Sequence, residues 1–212
     1  MHPRLNRRGL YAISDGPRSD LLPAVEAALR GGAALFQYRD KTADAQRRLR
    51  EASALRELCA RHDVPLIVND DVELALACGA DGVHLGEDDG DVAAARARLG
   101  AKAVIGVSCY DSLDRARQMA ASGADYLAFG AFFSSPTKPN ARRATLDLLR
   151  EAKPLGLPRV AIGGITPDNA PPLVAAGADF LAVVSGVFGA GDPCINAEKY
   201  KKLFLRADER RP

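Results

Sequence analysis

The sequence predicts a single-domain α/β protein, a (β/α)8 barrel of the TIM type. Three observations carry this: eight short apolar runs, amphipathic stretches of helical period between them, and a small triplet that recurs ahead of the runs. The runs cover residues 10–14, 34–38, 66–69, 82–85, 104–107, 126–129, 160–162 and 180–184. Most lack polar alternation, as expected of parallel strands covered by helices on both faces. Between them, residues 43–62 place Ala45, Leu49, Ala52, Leu55, Leu58 and Cys59 at helical spacing, with Thr42 as a candidate N-cap. Residues 111–122 repeat the pattern with Leu113, Ala116, Met119 and Ala120. Thr166-Pro167-Asp168 reads as a cap, a first-turn proline and an acid, although Pro171 and Pro172 require that helix to begin later or to distort. The triplet is Gly79-Ala80-Asp81, Gly123-Ala124-Asp125 and Gly177-Ala178-Asp179, with Gly31-Gly32-Ala33 in the equivalent place before the second run. Its glycine suits the left-handed position that ends a helix. Eight β-to-α steps without a linker favour a closed barrel over an open sheet.

Bulk properties narrow the function. The 212 residues suit one domain, slightly short for such a barrel. With 29 basic and 27 acidic residues, there is no cationic surplus for binding nucleic acid. No apolar stretch approaches a membrane span. Arg4, Arg7 and Arg8 read as a solvated tail without an apolar targeting segment behind it. The barrel domain therefore covers residues 1–212 with short flexible tails at about 1–8 and 207–212. Cys59, Cys78, Cys109 and Cys194 lack metal-ligand spacing and are expected as free thiols of a cytoplasmic protein. A homo-oligomer is left open.

Active sites of such barrels lie in the loops after the strands, and the residues there are unusually polar. Gln37, Arg39 and Lys41 follow the second strand, Asn69, Asp70 and Asp71 the third, and His84 with Glu87, Asp88 and Asp89 the fourth. Ser108 ends the fifth, Ser134–Lys138 lies beyond the sixth, Gly163-Gly164 beyond the seventh and Ser185-Gly186 beyond the eighth. The opposite end reads as mostly Gly, Ala and Pro. Carboxylates from adjacent loops, Asp70 and the 87–89 cluster, suit Mg²⁺, a hard cation that retains waters; for Asp70 a surface acid or an N-cap is an equal alternative. Arg39, Lys41 and Lys138 at the same mouth fit a polyphosphate substrate. Gly163-Gly164 is expected to open onto a helix N-terminus and, with Ser185-Gly186, to form a phosphate cup. His84, inside a strand pattern, is expected to point into the barrel in a hydrogen-bonded structural role rather than as a base. No cysteine or serine sits in a nucleophilic triad.

These residues resemble a known family. Gln37-Tyr38-Arg39-Asp40-Lys41, Val68-Asn69-Asp70-Asp71, the segment from Gly82 to Asp89, and Gly106-Val107-Ser108 follow one another as in the thiamine-phosphate synthases. Phe133-Ser134-Ser135-Pro136-Thr137-Lys138, Ala161-Ile162-Gly163-Gly164-Ile165 and Val184-Ser185 complete the pattern over nearly the whole chain. The resemblance implies a transferase that joins a pyrimidine carrying a methylene pyrophosphate to a thiazole phosphate, releasing pyrophosphate, with Mg²⁺ as cofactor. It places Gln37, Arg39, Lys41, Asn69, Ser108 and Lys138 on the pyrimidine pyrophosphate, with Lys138, Arg39 and Ser108 as the catalytic candidates. Asp70 and Asp89 would hold Mg²⁺. Ser135, Pro136, Thr137, Gly164, Val184 and Ser185 would line the thiazole phosphate site. The family reaction is dissociative, so it needs charge stabilisation and alignment more than a strong base. One departure stands out: where the family's loop usually reads Pro-Thr-x-Thr-Lys, this chain has Ser134-Ser135-Pro136-Thr137-Lys138, and Pro136 has no N–H to offer. The implied partners are small molecules alone. The alternatives are a thiazole tautomerase of the same superfamily, which needs no metal-bound pyrophosphate, a sugar-phosphate isomerase, and a non-catalytic sensor of thiamine precursors.

Overall fold

The structure is a computed structural model that describes residues 2–134 and 142–208. Eight parallel strands close into a barrel in sequence order. They are β1 (Gly9–Ile13), β2 (Ala33–Tyr38), β3 (Leu66–Asn69), β4 (Gly82–Leu85), β5 (Val104–Tyr110), β6 (Tyr126–Gly130), β7 (Arg159–Ile162) and β8 (Phe180–Val183), and β8 pairs back onto β1. The surrounding helices are α1 (Leu21–Arg30), α2 (Ala45–Arg61), α3 (Val72–Cys78), α4 (Val92–Leu99), α5 (Leu113–Ala121), α6 (Leu146–Glu151), α7 (Pro171–Ala175), α8 (Ser185–Phe188) and α9 (Pro193–Asp208). No helix among the described residues is long and apolar enough to cross a membrane.

Alternation along the strands sorts side chains into two cores. One set, including Phe36, Val68, Val83, Ile105, Phe129 and Leu181, packs outward against the helices. The other, including Tyr11, Leu35, Ile67, Val104, Tyr126, Val160 and Phe180, fills the barrel. The continuous apolar runs of the sequence are these two cores read in alternation. β5 runs three residues past its apolar run. A register shift between Ser108 and Tyr110 marks a bulge there, which re-aims the end of the strand.

The filling of the barrel depends on Gly106. A Cβ at that position would lie 1.8 Å from Cζ of the Tyr126 ring. Tyr126 is fully buried and has nowhere to retreat. Gly106→Ala is therefore expected to cost about 3 kcal/mol, the upper end of ordinary overpacking, measured as the shift in the urea unfolding midpoint at unchanged slope.

Several expectations are corrected here. The N-cap of α2 is Asp44, whose carboxylate accepts the Arg47 N–H, rather than Thr42. α7 begins at Pro171, where two prolines are tolerated because first-turn N–H groups have no intrahelical partner. Thr166 and Asn169 instead close a turn by exchanging bonds, Asn169 Oδ1 accepting from the Thr166 N–H at 2.8 Å. The N-terminal segment is docked. Residues Pro3–Leu5 form a 3-10 turn, Leu5 is 1% exposed in the interior core, and Arg4 pairs with Asp81 at 3.1 Å. At the other end α9 extends through Asp208, into the span expected as a tail.

The lower end of the barrel, which reads as Gly, Ala and Pro, is a ring of ion pairs. The Gly-Ala-Asp triplets explain it. Their glycines do take positive φ, 66° at Gly79, 91° at Gly123 and 101° at Gly177. Each aspartate then clips the start of the neighbouring strand at two points. Asp81 donates its N–H to the Leu66 carbonyl at 2.9 Å, and its carboxylate accepts the Leu66 N–H at 2.9 Å. Asp125 does the same to Ile105, and Asp179 to Arg159. Arginines complete each clip: Arg4 and Arg56 at Asp81, Arg96 at Asp125, and Arg8 and Arg159 at Asp179.

Candidate active site

The mouth begins with the loop after β2. Asp40 is buried, and its carboxylate accepts the Thr42 N–H at 2.8 Å and pairs with Arg47 at 2.7 Å. Burial pushes this carboxyl up, but the Thr42 N–H and the Arg47 guanidinium outweigh it and hold it below the usual range. Asp40 thus folds the loop so that its neighbour Lys41 lines the opening. The backbone of Arg39 is tied to Ser14 at 2.9 Å, while its guanidinium has no hydrogen-bond or ion-pair partner among the described residues. A partly buried cation left in this way is available to an anionic ligand.

After β3 the chain turns at Asp70, whose φ is +62°, a conformation Asp and Asn tolerate better than most residues. The turn splits three adjacent polar residues between three tasks. Asn69 donates its Nδ2 to the Asp70 carboxylate at 2.5 Å. Asp70 reaches into the mouth and pairs with Lys41. Asp71 is the N-cap of α3 and holds Arg48 at 2.9 Å, so the capping role belongs to Asp71 and not to Asp70.

Asp89, from the loop after β4, accepts the Gly86 N–H at 3.0 Å and faces Asp70. Burial and then the adjacent Asp70 carboxylate push its pKa up. Two carboxylates crowded together, with one lysine between them and water, form a site that a hard cation would relieve. Among the described residues no group of three or more acidic, histidine or cysteine side chains converges on one point. The pair therefore fits an ion that fills its other positions with water and phosphate oxygens, as Mg²⁺ does. Lys41, Asn69, Asp70 and Asp89 line a cleft of about 490 Å³ together with Arg48 and Asp71. Glu87 lies aside from this pair, held by Arg142 at 2.7 Å.

Inside the barrel, directly beneath, runs a chain of polar side chains. Gln37 Nε2 donates to the Tyr11 hydroxyl at 2.6 Å, and the Tyr11 and Tyr126 hydroxyls are 2.8 Å apart. Tyr126 meets His84 Nδ1 at 2.9 Å, and His84 Nε2 meets Ser108 Oγ at 2.9 Å. His84 points into the barrel, as its strand pattern implies. Its pKa is pushed down to about 4 by burial, against the opposing charge of Asp89. The folded protein thus binds this proton more weakly than the unfolded chain, where histidine titrates near pH 6.5. Stability should fall as pH drops through about 6.5 and level off below about 4. His84→Gln should remove that component, seen as a flatter melting temperature between pH 7 and pH 4.5 than in the parent.

Tyr11 and Tyr126 were not legible as site residues, since each sits in an apolar run and reads as core. The only signal was Gly106, a glycine inside a strand pattern, which marks the close approach of a neighbouring group.

The far side of the mouth holds Gly163, Gly164, Val184 and Ser185. Gly164 has φ +60°, and a Cβ there would lie 2.5 Å from the Ser134 carbonyl oxygen and 2.9 Å from that of Phe133. The glycine therefore admits the loop after β6, and α7 starts seven residues later, so Gly163-Gly164 does not open onto a helix N-terminus. Ser185 does open a helix, the short α8. Gly186 beside it leaves room for Tyr200, whose hydroxyl donates to the Ile165 carbonyl at 3.1 Å and ties α9 to the loop after β7. Ser135, Pro136, Thr137 and Lys138 lie outside the described residues.

The thiamine monophosphate synthase family model matches residues 10–187, more than half of the chain. The chain belongs to this family. Family membership is supported by curated thiamine-phosphate synthases. That of Xanthomonas campestris pv. campestris (strain 8004) is 58% identical over 202 residues, spanning 95% of this chain and 98% of its own. That of Azoarcus sp. (strain BH72) is also 58% identical, over 93% and 97%. Among solved structures, thiamine phosphate pyrophosphorylase from Pyrococcus furiosus superposes with a TM-score of 0.86 at 35% identity, covering 95% and 98%. A 3-hexulose-6-phosphate synthase at 17% identity and a TM-score of 0.69 shares the fold. As a member of the thiamine monophosphate synthase family, the chain is a transferase of thiamine biosynthesis that moves a pyrimidinylmethyl group.

Proposed function

We propose that this chain condenses 4-amino-2-methyl-5-(diphosphooxymethyl)pyrimidine with 4-methyl-5-(2-phosphooxyethyl)thiazole in the cytoplasm, by a dissociative substitution that depends on Mg²⁺. The observation that carries this reading is the meeting of Lys41 with the facing carboxylates of Asp70 and Asp89 in one cleft, from three consecutive strands.

Asp70 and Asp89 would hold Mg²⁺, which when bound supplies positive charge to the pyrophosphate oxygens. Arg39 and Lys41 bind the same pyrophosphate and stabilise its charge as the C–O bond breaks. Lys138 does so as well, and because charge accumulates on the leaving group its contribution grows toward the transition state. Gln37, Asn69 and Ser108 orient the pyrimidine ring. The cation left behind is delocalised over the aminopyrimidine, and the thiazole nitrogen captures it through its lone pair. Ser135, Pro136, Thr137, Gly164, Val184 and Ser185 hold the thiazole phosphate on the opposite side and bring that nitrogen into line. No proton needs to leave during bond formation, which agrees with a mouth that lacks a histidine poised to titrate near neutrality.

Gly164→Ala is expected to impair both ends of the site, because it displaces the Phe133 and Ser134 carbonyls, which precede both the proposed thiazole phosphate residues and Lys138 in the chain. Titration of the variant with each ligand checks this, with affinity for both expected to fall. The reading as a whole is tested by incubating the protein with both substrates, with and without Mg²⁺. Thiamine phosphate should appear with the metal and be nearly absent after chelation. Turnover of the thiazole alone, with no condensation, would favour the tautomerase.

A further inference from the structure

The polar chain inside the barrel has a direction. An amide Nε2 can only donate, so the Tyr11 hydroxyl accepts from Gln37. The single proton of Tyr11 then goes to the Tyr126 oxygen, 2.8 Å away. That leaves the proton of Tyr126 for His84 Nδ1 at 2.9 Å. An accepting Nδ1 places the imidazole hydrogen on Nε2, where it is donated to Ser108 Oγ at 2.9 Å. Each step fixes the next, because every member has one hydrogen to give and one neighbour to receive it. Tyr11 and Tyr126 are 1% and 0% exposed, so bulk water cannot interrupt the link between them. Two groups remain uncommitted at its ends. Gln37 Oε1 has no partner among the described residues and is not among the sealed polar atoms. The Ser108 hydroxyl has its own proton still to donate.

We infer that Tyr11, Tyr126 and His84 are positioning residues that fix the hydrogen-bond polarity of the pyrimidine pocket, Gln37 as an acceptor and Ser108 as a donor. The inference rests on the proposed contact of Gln37 and Ser108 with the pyrimidine substrate. An acceptor from β2 and a donor from β5 match an aminopyrimidine, whose exocyclic N–H donates and whose ring nitrogens accept. They oppose the 4-oxo analogue, which turns a carbonyl oxygen toward Gln37 Oε1 and an N–H toward a donor. Polar groups held in fixed orientation reject such an analogue far more strongly than a pocket whose amide can turn over. The relay therefore makes an enzyme that selects the amino substrate, and it does so from beneath, through residues that need not touch the ligand.

The test has two readouts on the intact chain. Nitrogen-15 NMR of the imidazole in the free protein should show His84 as the Nε2–H tautomer, and Tyr126→Phe, which keeps the ring, should lose that preference. An Nδ1–H tautomer in the parent would mean that the relay runs the other way and would overturn the inference. In parallel, kcat/KM is compared for the amino substrate and its 4-oxo analogue. Tyr126→Phe and Tyr11→Phe should each lower the amino-to-oxo ratio by on the order of tenfold or more, with the KM for thiazole phosphate unchanged. An unchanged ratio in a folded Tyr126→Phe protein whose tautomer has shifted would overturn it. Ser108→Ala separates this from the underlying reading. If that variant keeps full kcat and pyrimidine KM, Ser108 does not meet the substrate, and the site assignment falls together with the inference.

Discussion

Replacing Asp70 or Asp89 with Asn should lower turnover by on the order of a hundredfold, equivalent to about 2.7 kcal/mol of transition-state stabilisation. Asparagine is the informative substitution. It keeps the size of the side chain, and at position 70 it tolerates the left-handed backbone that most residues resist. The loss then reports charge rather than shape. High Mg²⁺ should restore part of the activity, because the remaining carboxylate and the substrate's own oxygens still bind the ion. A second readout needs no turnover. In the presence of pyrophosphate, Mg²⁺ should raise the melting temperature of the parent by binding only the folded state, and the rise should shrink in either variant. Asp89 adds a pH dependence. Its pKa is raised by burial and by Asp70, so the folded protein holds this proton more tightly than the unfolded chain. The metal-free protein should therefore lose stability as pH rises through that raised value, and Mg²⁺ should reverse the loss. An identical Mg²⁺ dependence in parent and both variants would remove the metal assignment.

Asp81→Ala should be among the most damaging changes away from the mouth, at roughly 3 kcal/mol or more. The carboxylate is 5% exposed, accepts the Leu66 N–H at 2.9 Å, and faces Arg4 at 3.1 Å and Arg56 at 3.6 Å. Its removal leaves a buried strand N–H without an acceptor and two guanidinium groups without a counter-charge. It also unties the N-terminal segment, whose Leu5 closes the bottom of the barrel. A contrast comes from Asp114, 91% exposed and paired with Arg117 at 2.8 Å. Solvent screens that pair, so Asp114→Ala should leave the urea midpoint unmoved although the ion-pair distance is similar. Equal losses in the two variants would show that burial does not set the worth of these pairs.

The eight strands were legible because most are buried on both faces, and a short apolar run of three to five residues between helical patterns has few other uses. Their order and closure followed from the repeat. The mouth was legible for a related reason. Polar residues directly after buried strands have no packing role, so their concentration at one end marked Arg39, Lys41, Asn69, Asp70 and Asp89 together. What failed were assignments that depend on more than one segment. Thr42 and Asp44 are both adequate caps, and the buried pairing of Asp40 with Arg47 decides between them. Gly163-Gly164 looks the same in sequence whether it opens onto a helix N-terminus or admits the Ser134 carbonyl. Arg4 and Arg8 read as a tail because their partners, Asp81 and Asp179, are distant in sequence.

By itself, then, the sequence determined the architecture, the end of the barrel that carries the chemistry and the charges assembled there, because periodicity and strand-end polarity are local properties. Only the tertiary structure decided which carboxylates face each other, which triplet aspartates clip which strands, and that two tyrosines and a histidine from three strands lie in one hydrogen-bonded chain. Those are distances between residues far apart in the chain, up to 115 positions for Tyr11 and Tyr126. Closure of the barrel brings them within hydrogen-bonding range, and no local pattern encodes that separation.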